Sequence, residues 1–139
     1  MKINLQIASK QKNIPSPTLF KRWVQAALPP KKQNAELTIR IVDEPEIITL
    51  NEKYRHKKGP TNVLAFPIEA PITTPLLGDI IICAPITIQE AQAQNKSIDA
   101  HFAHLTIHGV LHLLGYEHDK VMETQEIKIL AKLGFPNPY

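Results

Sequence analysis

Five of the six histidines in the chain fall within eighteen residues: His101, His104, His108, His112 and His118. The last three stand in HGVLHLLGYEH, residues 108–118, with the spacing H-x3-H-x2-G-x2-H. On an α-helix, side chains four apart share a face, about 5–6 Å apart at Cβ, so His108 and His112 can aim both rings at one point. Gly115 follows where the helical apolar pattern ends, and glycine tolerates the left-handed turn that closes a helix. Such a turn swings the chain back and can bring His118 to the same point. Three neutral imidazoles with a fourth position open are what catalytic zinc needs. The ion lowers the pKa of a bound water to about 7. His108, His112 and His118 are therefore the expected ligands of one Zn2+ ion, although imidazole also suits nickel, iron and copper.

The spacing matches the HExxHxxGxxH arrangement of metzincin peptidases at every position but one, where Gly109 replaces the glutamate. That glutamate is the general base of those enzymes, and losing a general base costs about 10²–10⁴ in rate. Peptide hydrolysis would need Glu117 or Asp119 as a substitute. Phosphodiester cleavage suits the set better, because a metal and a guanidinium together neutralise charge on a phosphoryl transition state. The stretch Lys53, Arg55, His56, Lys57, Lys58 is the candidate for gripping a nucleic-acid backbone, arginine by bidentate contact and lysine as a point charge. His104 lies one turn before His108 on the same stripe, where it either orients a ligand, touches substrate or hydrogen-bonds locally. His101 faces elsewhere and is expected at the surface. Leu105, Leu111, Leu113 and Leu114 read as core.

Several elements must position these residues. Ile3, Leu5 and Ile7 alternate with polar residues, as do Leu37, Ile39 and Ile41, which predicts two strands. Ser16-Pro17 opens a helix carrying Leu19, Phe20, Trp23, Val24, Ala27 and Leu28, stopped by Pro29-Pro30. Asp43 and Pro45 read as the cap and first turn of a helix reaching about residue 54. The apolar runs 61–68 and 78–85 are each read as a strand, joined by a hairpin-like connection punctuated by Pro71, Pro75 and Gly78. Helix resumes after Pro85 and again over 98–114. A last helix covers roughly 121–133 before Gly134 and Pro136. The order β-α-β-α-β-β-α-α-α gives an α+β class. It describes a single domain over 1–139, with a small mixed sheet of about four strands packed by about five helices. The metal-site helix lies near the C-terminus.

Charge is lopsided. Residues 1–60 carry twelve Lys/Arg against five Asp/Glu, and residues 61–139 carry four against eight. The halves therefore differ as +7 and −4, which suggests a polyanionic partner for the basic part. No apolar run is long enough for a membrane span, and the first residues lack the apolar stretch of a signal peptide. The lone Cys83 cannot form an internal disulfide. A cytoplasmic location is expected.

In three ordered blocks, LNEKYRHKKGPTNVLAFP, LLGDIIICAP and HGVLHLLGYEH, the chain resembles the YbeY family of bacterial endoribonucleases. The blocks run from residue 50 to 118. The resemblance implies a single-strand-specific, metal-dependent endoribonuclease acting in 3′-end maturation of 16S rRNA and in ribosome quality control. Single-stranded RNA, 16S rRNA and the ribosome are the implied partners. By motif position His108, His112 and His118 are zinc ligands. Arg55 and His108 are the implied catalytic residues, Arg55 as a phosphate or transition-state contact in the cleft. Glu117, Asn62 and Ala65 depart from the family's usual aspartate, aspartate and serine, which weakens any acid–base role there. Asp79 matches the pattern without an assigned role, and Cys83 reads as buried and inert. Two other readings stand beside this one: a zinc metallopeptidase with a displaced base, and a non-catalytic ribosome assembly factor with structural zinc. The latter needs a fourth protein ligand, for which Cys83, Glu117 and Asp119 are the candidates.

Overall fold

A computed structural model describes residues 1–69 and 74–139. The elements are β1 (Lys2–Ile7), α1 (Pro17–Ala27), a 3-10 turn (Pro30–Lys32), β2 (Glu36–Val42), α2 (Glu44–Arg55), β3 (Val63–Pro67), β4 (Leu76–Cys83), α3 (Ala84–Ala93), α4 (Ile98–Leu113) and α5 (Lys120–Lys132). The strands form one sheet in the order β1-β2-β4-β3. β1, β2 and β4 run parallel, and β3 is antiparallel to β4. The α+β class and the small mixed sheet are as the patterning implies.

Alternation along the strands divides the interior in two. Ile39 and Ile41 of β2, with Ile80 and Ile82 of β4, join Phe20, Trp23 and Val24 of α1 and Phe102, Ile107 and Val110 of α4 in the larger core. Val42, Leu64, Ile81 and Cys83 point the other way and meet Ile47 of α2. With both faces covered, the central strands need apolar residues at successive positions, which is why β4 reads as an unbroken run. Phe20 meets Trp23 and Phe102 edge-on, at centroid distances of 5.3 and 6.1 Å.

Capping sets where helices begin. The Ser16 hydroxyl accepts from Leu19 N–H, Ser97 from Ala100 N–H at 3.0 Å, and the Asp119 carboxylate from Met122 N–H at 3.0 Å. Asp43 occupies the N-cap position of α2 but does not cap it. Its carboxylate instead accepts from the Ser9 hydroxyl and Lys10 N–H, tying the chain leaving β1 to the start of α2. Gly78 lies inside β4 opposite Pro67 and not in the connection, and Pro71 lies outside the described residues. α3 begins at Ala84, with Pro85 in its first turn, where a missing N–H costs nothing.

α4 is the hub. It touches α1, α3, α5, β3 and β4 and buries ten of its sixteen residues. Gly109 is what lets it sit so close to the sheet: a Cβ there would come within 2.8 Å of Ile80 Cγ2. Gly109→Ala would gain about 1 kcal/mol of helix propensity against an overpacking cost of about 1–3 kcal/mol. A net loss of stability is expected in urea unfolding.

Candidate metal centre

His108 and His112 lie on the last two turns of α4, and the turn that ends this helix delivers His118. Gly115 takes φ +101°. Its N–H donates to the His112 carbonyl at 3.0 Å, and Tyr116 N–H reaches back to the Leu111 carbonyl at 3.0 Å. This pair of bonds is the Schellman closure, which needs a left-handed residue at the position Gly115 holds. The reversal brings the His118 ring to 4.8 Å from that of His108 and 4.4 Å from that of His112.

The three Nε2 atoms face one another. His112 Nε2 lies 3.1 Å from His108 Nε2 and 3.0 Å from His118 Nε2. Which of these nitrogens carries a proton follows from the opposite side of each ring. His108 Nδ1–H donates to the Glu126 carboxylate at 2.8 Å, and His112 Nδ1–H donates to the Tyr116 carbonyl at 3.0 Å. Neither acceptor has a proton to give, so the neutral rings of His108 and His112 turn bare Nε2 lone pairs towards one another. Burial first, and the neighbouring His108 and His118 second, hold the His112 pKa below the ordinary histidine value, which favours the neutral, ligating form. Imidazoles bound tetrahedrally at about 2.0–2.1 Å from an ion would have nitrogens about 3.3 Å apart. The donor set fits a small cation. Among the described residues, these three side chains form the one group of His, Cys, Asp and Glu able to hold a metal.

Glu126 of α5 was not apparent from the sequence as a site residue, yet it is fully buried, with 0% exposure. Burial alone would push its carboxyl up, but hydrogen bonds from His104, His108 and Tyr139 outweigh that and hold its pKa at about 2. A carboxylate on the distal nitrogen of a ligating histidine fixes the tautomer and raises ligand basicity. One signal was legible: Met122, Glu126, Ile129 and Leu130 share the buried stripe of α5, and a charge within an apolar stripe calls for a partner.

His104 donates to the same carboxylate through Nε2, at 3.4 Å, one residue removed from the ligand set. His101 departs from expectation. It is 3% exposed, because α3 covers this side of α4, and its Nε2 meets Glu90 of α3 at 2.9 Å. Asn62 donates to that same Glu90 oxygen at 3.0 Å, so position 62 has a structural task.

A cavity of about 490 Å³ opens over the three histidines, lined also by Arg55, Lys57, Lys58 and Ala65. The Arg55 guanidinium donates to the Ala65 carbonyl at 2.8 Å and lies 5.7 Å from the Phe66 ring centre. Asn51, buried on α2, donates to the Gly59 carbonyl at 3.0 Å and holds the basic loop in place. Asp79 is exposed on β4 and does not line this cavity. Cys83 lies fully buried in the core on the other face of the sheet, where burial raises its thiol pKa. Glu117 is exposed, and the Asp119 carboxylate is engaged in capping α5. Gly109, at the position of the peptidase base, faces Ile80.

A four-stranded mixed sheet backing three histidines placed to hold a metal ion at the end of α4, beside a cleft lined by Arg55, Lys57 and Lys58, defines the class of protein. The family profile described as Endoribonuclease YbeY matches residues 4–134. A protein named Endoribonuclease YbeY from Nitrosococcus oceani is 46% identical over 146 aligned positions, covering 99% of this chain and 95% of the relative. One of the same name from Coxiella burnetii is 50% identical over 148 positions, covering 99% and 97%. The solution structure of TM1509 from Thermotoga maritima shares the fold, with a TM-score of 0.59 at 23% identity over 94% of this chain and 91% of that one. The chain belongs to the YbeY endoribonuclease family.

Glu126→Gln keeps the shape of the side chain and removes its charge. Competition with a chelator should show divalent metal held about 10–100-fold more weakly than in the wild type.

Proposed function

We propose that this protein is a single-strand-specific, zinc-dependent endoribonuclease that acts in the cytoplasm, in 3′-end maturation of 16S rRNA and in ribosome quality control. The observation that carries the reading is the convergence of three imidazole nitrogens on the floor of a cleft lined by Arg55, Lys57 and Lys58. The name Endoribonuclease YbeY borne by close relatives supports the substrate class. Among the described residues, no helix is long and apolar enough to cross a membrane.

His108, His112 and His118 would hold the ion. Zinc bound there would supply Lewis-acid polarisation and a lowered pKa for water at the scissile phosphate. Arg55 spends one N–H on the Ala65 carbonyl, which fixes the plane of the guanidinium and leaves its other donors for phosphate oxygens. Lys57 and Lys58 draw the RNA backbone into the cleft as point charges. The chain's arrangement admits attack by water, leaving a 5′-phosphate and a 3′-hydroxyl. It equally admits attack by the ribose 2′-hydroxyl, leaving a cyclic 2′,3′-phosphate. End-group analysis of the cleaved RNA distinguishes these.

Two observations disfavour the other readings. A peptidase with a displaced base would need Glu117 or Asp119, but Glu117 is exposed and the Asp119 carboxylate is engaged in capping α5. A closed structural site would need a fourth protein donor, and none joins the triad among the described residues.

Cleavage of single-stranded RNA, but not of unfolded peptides, is expected from the zinc-loaded protein, and a chelator should abolish it; cleavage of peptides alone would end the nuclease reading. Arg55→Ala should lower kcat about 10²–10³-fold with bound metal unchanged, whereas His112→Ala should lose both. Zinc at 100 times its Kd should stabilise the wild type by about 2.7 kcal/mol in thermal or urea unfolding, an effect absent from His112→Ala.

A further inference from the structure

Glu126 has two oxygens and three neighbours. Oε2 accepts the Nδ1 proton of His108 at 2.8 Å. Oε1 accepts the hydroxyl of Tyr139, with His104 Nε2 further off at 3.4 Å. The Tyr139 hydroxyl is thus the close partner on the oxygen that His108 does not use.

The path that brings it there is well anchored. Gly134 N–H donates to the Ala131 carbonyl at 3.1 Å and Phe135 N–H to the Leu130 carbonyl at 2.9 Å, so the chain reverses on leaving α5. Phe135 then packs edge-on to Trp23 at 6.3 Å, Lys96 Nζ donates to the Pro138 carbonyl at 3.1 Å, and the Tyr139 ring meets His104 edge-on at 5.4 Å. Tyr139 as a whole is 61% exposed, so burial of its ring does little to hold it. Its oxygen, however, reaches a carboxylate with no exposure at all. Burial and the bond to Glu126 both raise the phenol pKa, which keeps the hydroxyl protonated as a donor.

We propose that Tyr139 is a positioning residue for the metal centre. By occupying Oε1 of Glu126 it holds the carboxylate so that Oε2 takes the Nδ1 proton of His108, which leaves the Nε2 lone pair of His108 aimed at the ion. The proposal rests on the three-histidine metal site and extends its support to the segment after α5. A carboxylate deprived of this donor can rotate towards His104, and the fixed tautomer of His108 is lost.

Tyr139→Phe tests this, because it keeps the ring against His104 and removes only the oxygen. In chelator competition on the full chain, zinc affinity should fall about tenfold. In a Glu126→Gln background the same substitution should add nothing, since both act through one carboxylate. In the metal-free protein, histidine side-chain nitrogen NMR should show His108 as a single Nδ1–H tautomer in the wild type and as a mixture in Tyr139→Phe. Equal zinc affinity in wild type and Tyr139→Phe, or the same loss with and without the Glu126 carboxylate, overturns the role of Tyr139 and leaves the metal site standing. A lowered melting temperature with affinity intact reduces Tyr139 to packing and likewise overturns it. A wild-type protein that binds no ion removes the metal site and this proposal together.

Discussion

Bare lone pairs on imidazole nitrogens about 3 Å apart repel one another, and a cation between them would relieve that repulsion. That is the constraint around which the C-terminal half of the molecule is organised. Two hydrogen bonds impose it: His108 to Glu126 and His112 to the Tyr116 carbonyl. Each commits a proton to the outer side of a ring and leaves the inner nitrogen bare. The Tyr116 carbonyl is available because the Schellman turn at Gly115 folds it back beside His112. One local motif therefore both delivers His118 and sets the tautomer of His112.

The helix bearing this site is also the most buried in the chain, and the two requirements conflict. Polar atoms inside a core must find partners or carry a penalty. α4 meets the conflict with carboxylates from its neighbours: Glu90 of α3 receives His101, and Glu126 of α5 receives His104 and His108. These contacts tie three helices together. They also separate the histidine stripe into an inner part, where His101 and His104 meet carboxylates through Nε2, and an outer part that opens on the cleft. The opposite wall has its own logic. Arg55 is held by a backbone carbonyl and an aromatic ring, so its charge is fixed in direction, and among the described residues no carboxylate pairs with it.

Much of the fold was legible because its signals are short-range. Strand alternation, the Ser16-Pro17 helix start and the Gly115 helix stop each concern residues a few positions apart. The misreadings share one cause. His101 looked like a surface residue because a helical wheel gives relative faces and not which neighbour covers them, and α3 covers that face. Asp43 stands where a cap stands, but Ser9 and Lys10 compete for its carboxylate from 34 and 33 residues away. Gly78 has the composition of a turn residue, yet its place is in β4 opposite Pro67.

The sequence by itself determined the convergence of the three histidines, since i, i+4 spacing and a glycine-closed helix end follow from backbone geometry over eleven residues. It also determined the element order and the basic character of the segment before β3. Only the tertiary structure decided what surrounds the triad: Glu126, eighteen residues from His108; Tyr139, beyond the end of α5; and the Ala65 carbonyl that steadies Arg55. Such partners meet because whole elements pack in one arrangement, and the rotation of a helix about its axis is settled by the volume of the core it fills. No spacing rule along the chain encodes that rotation.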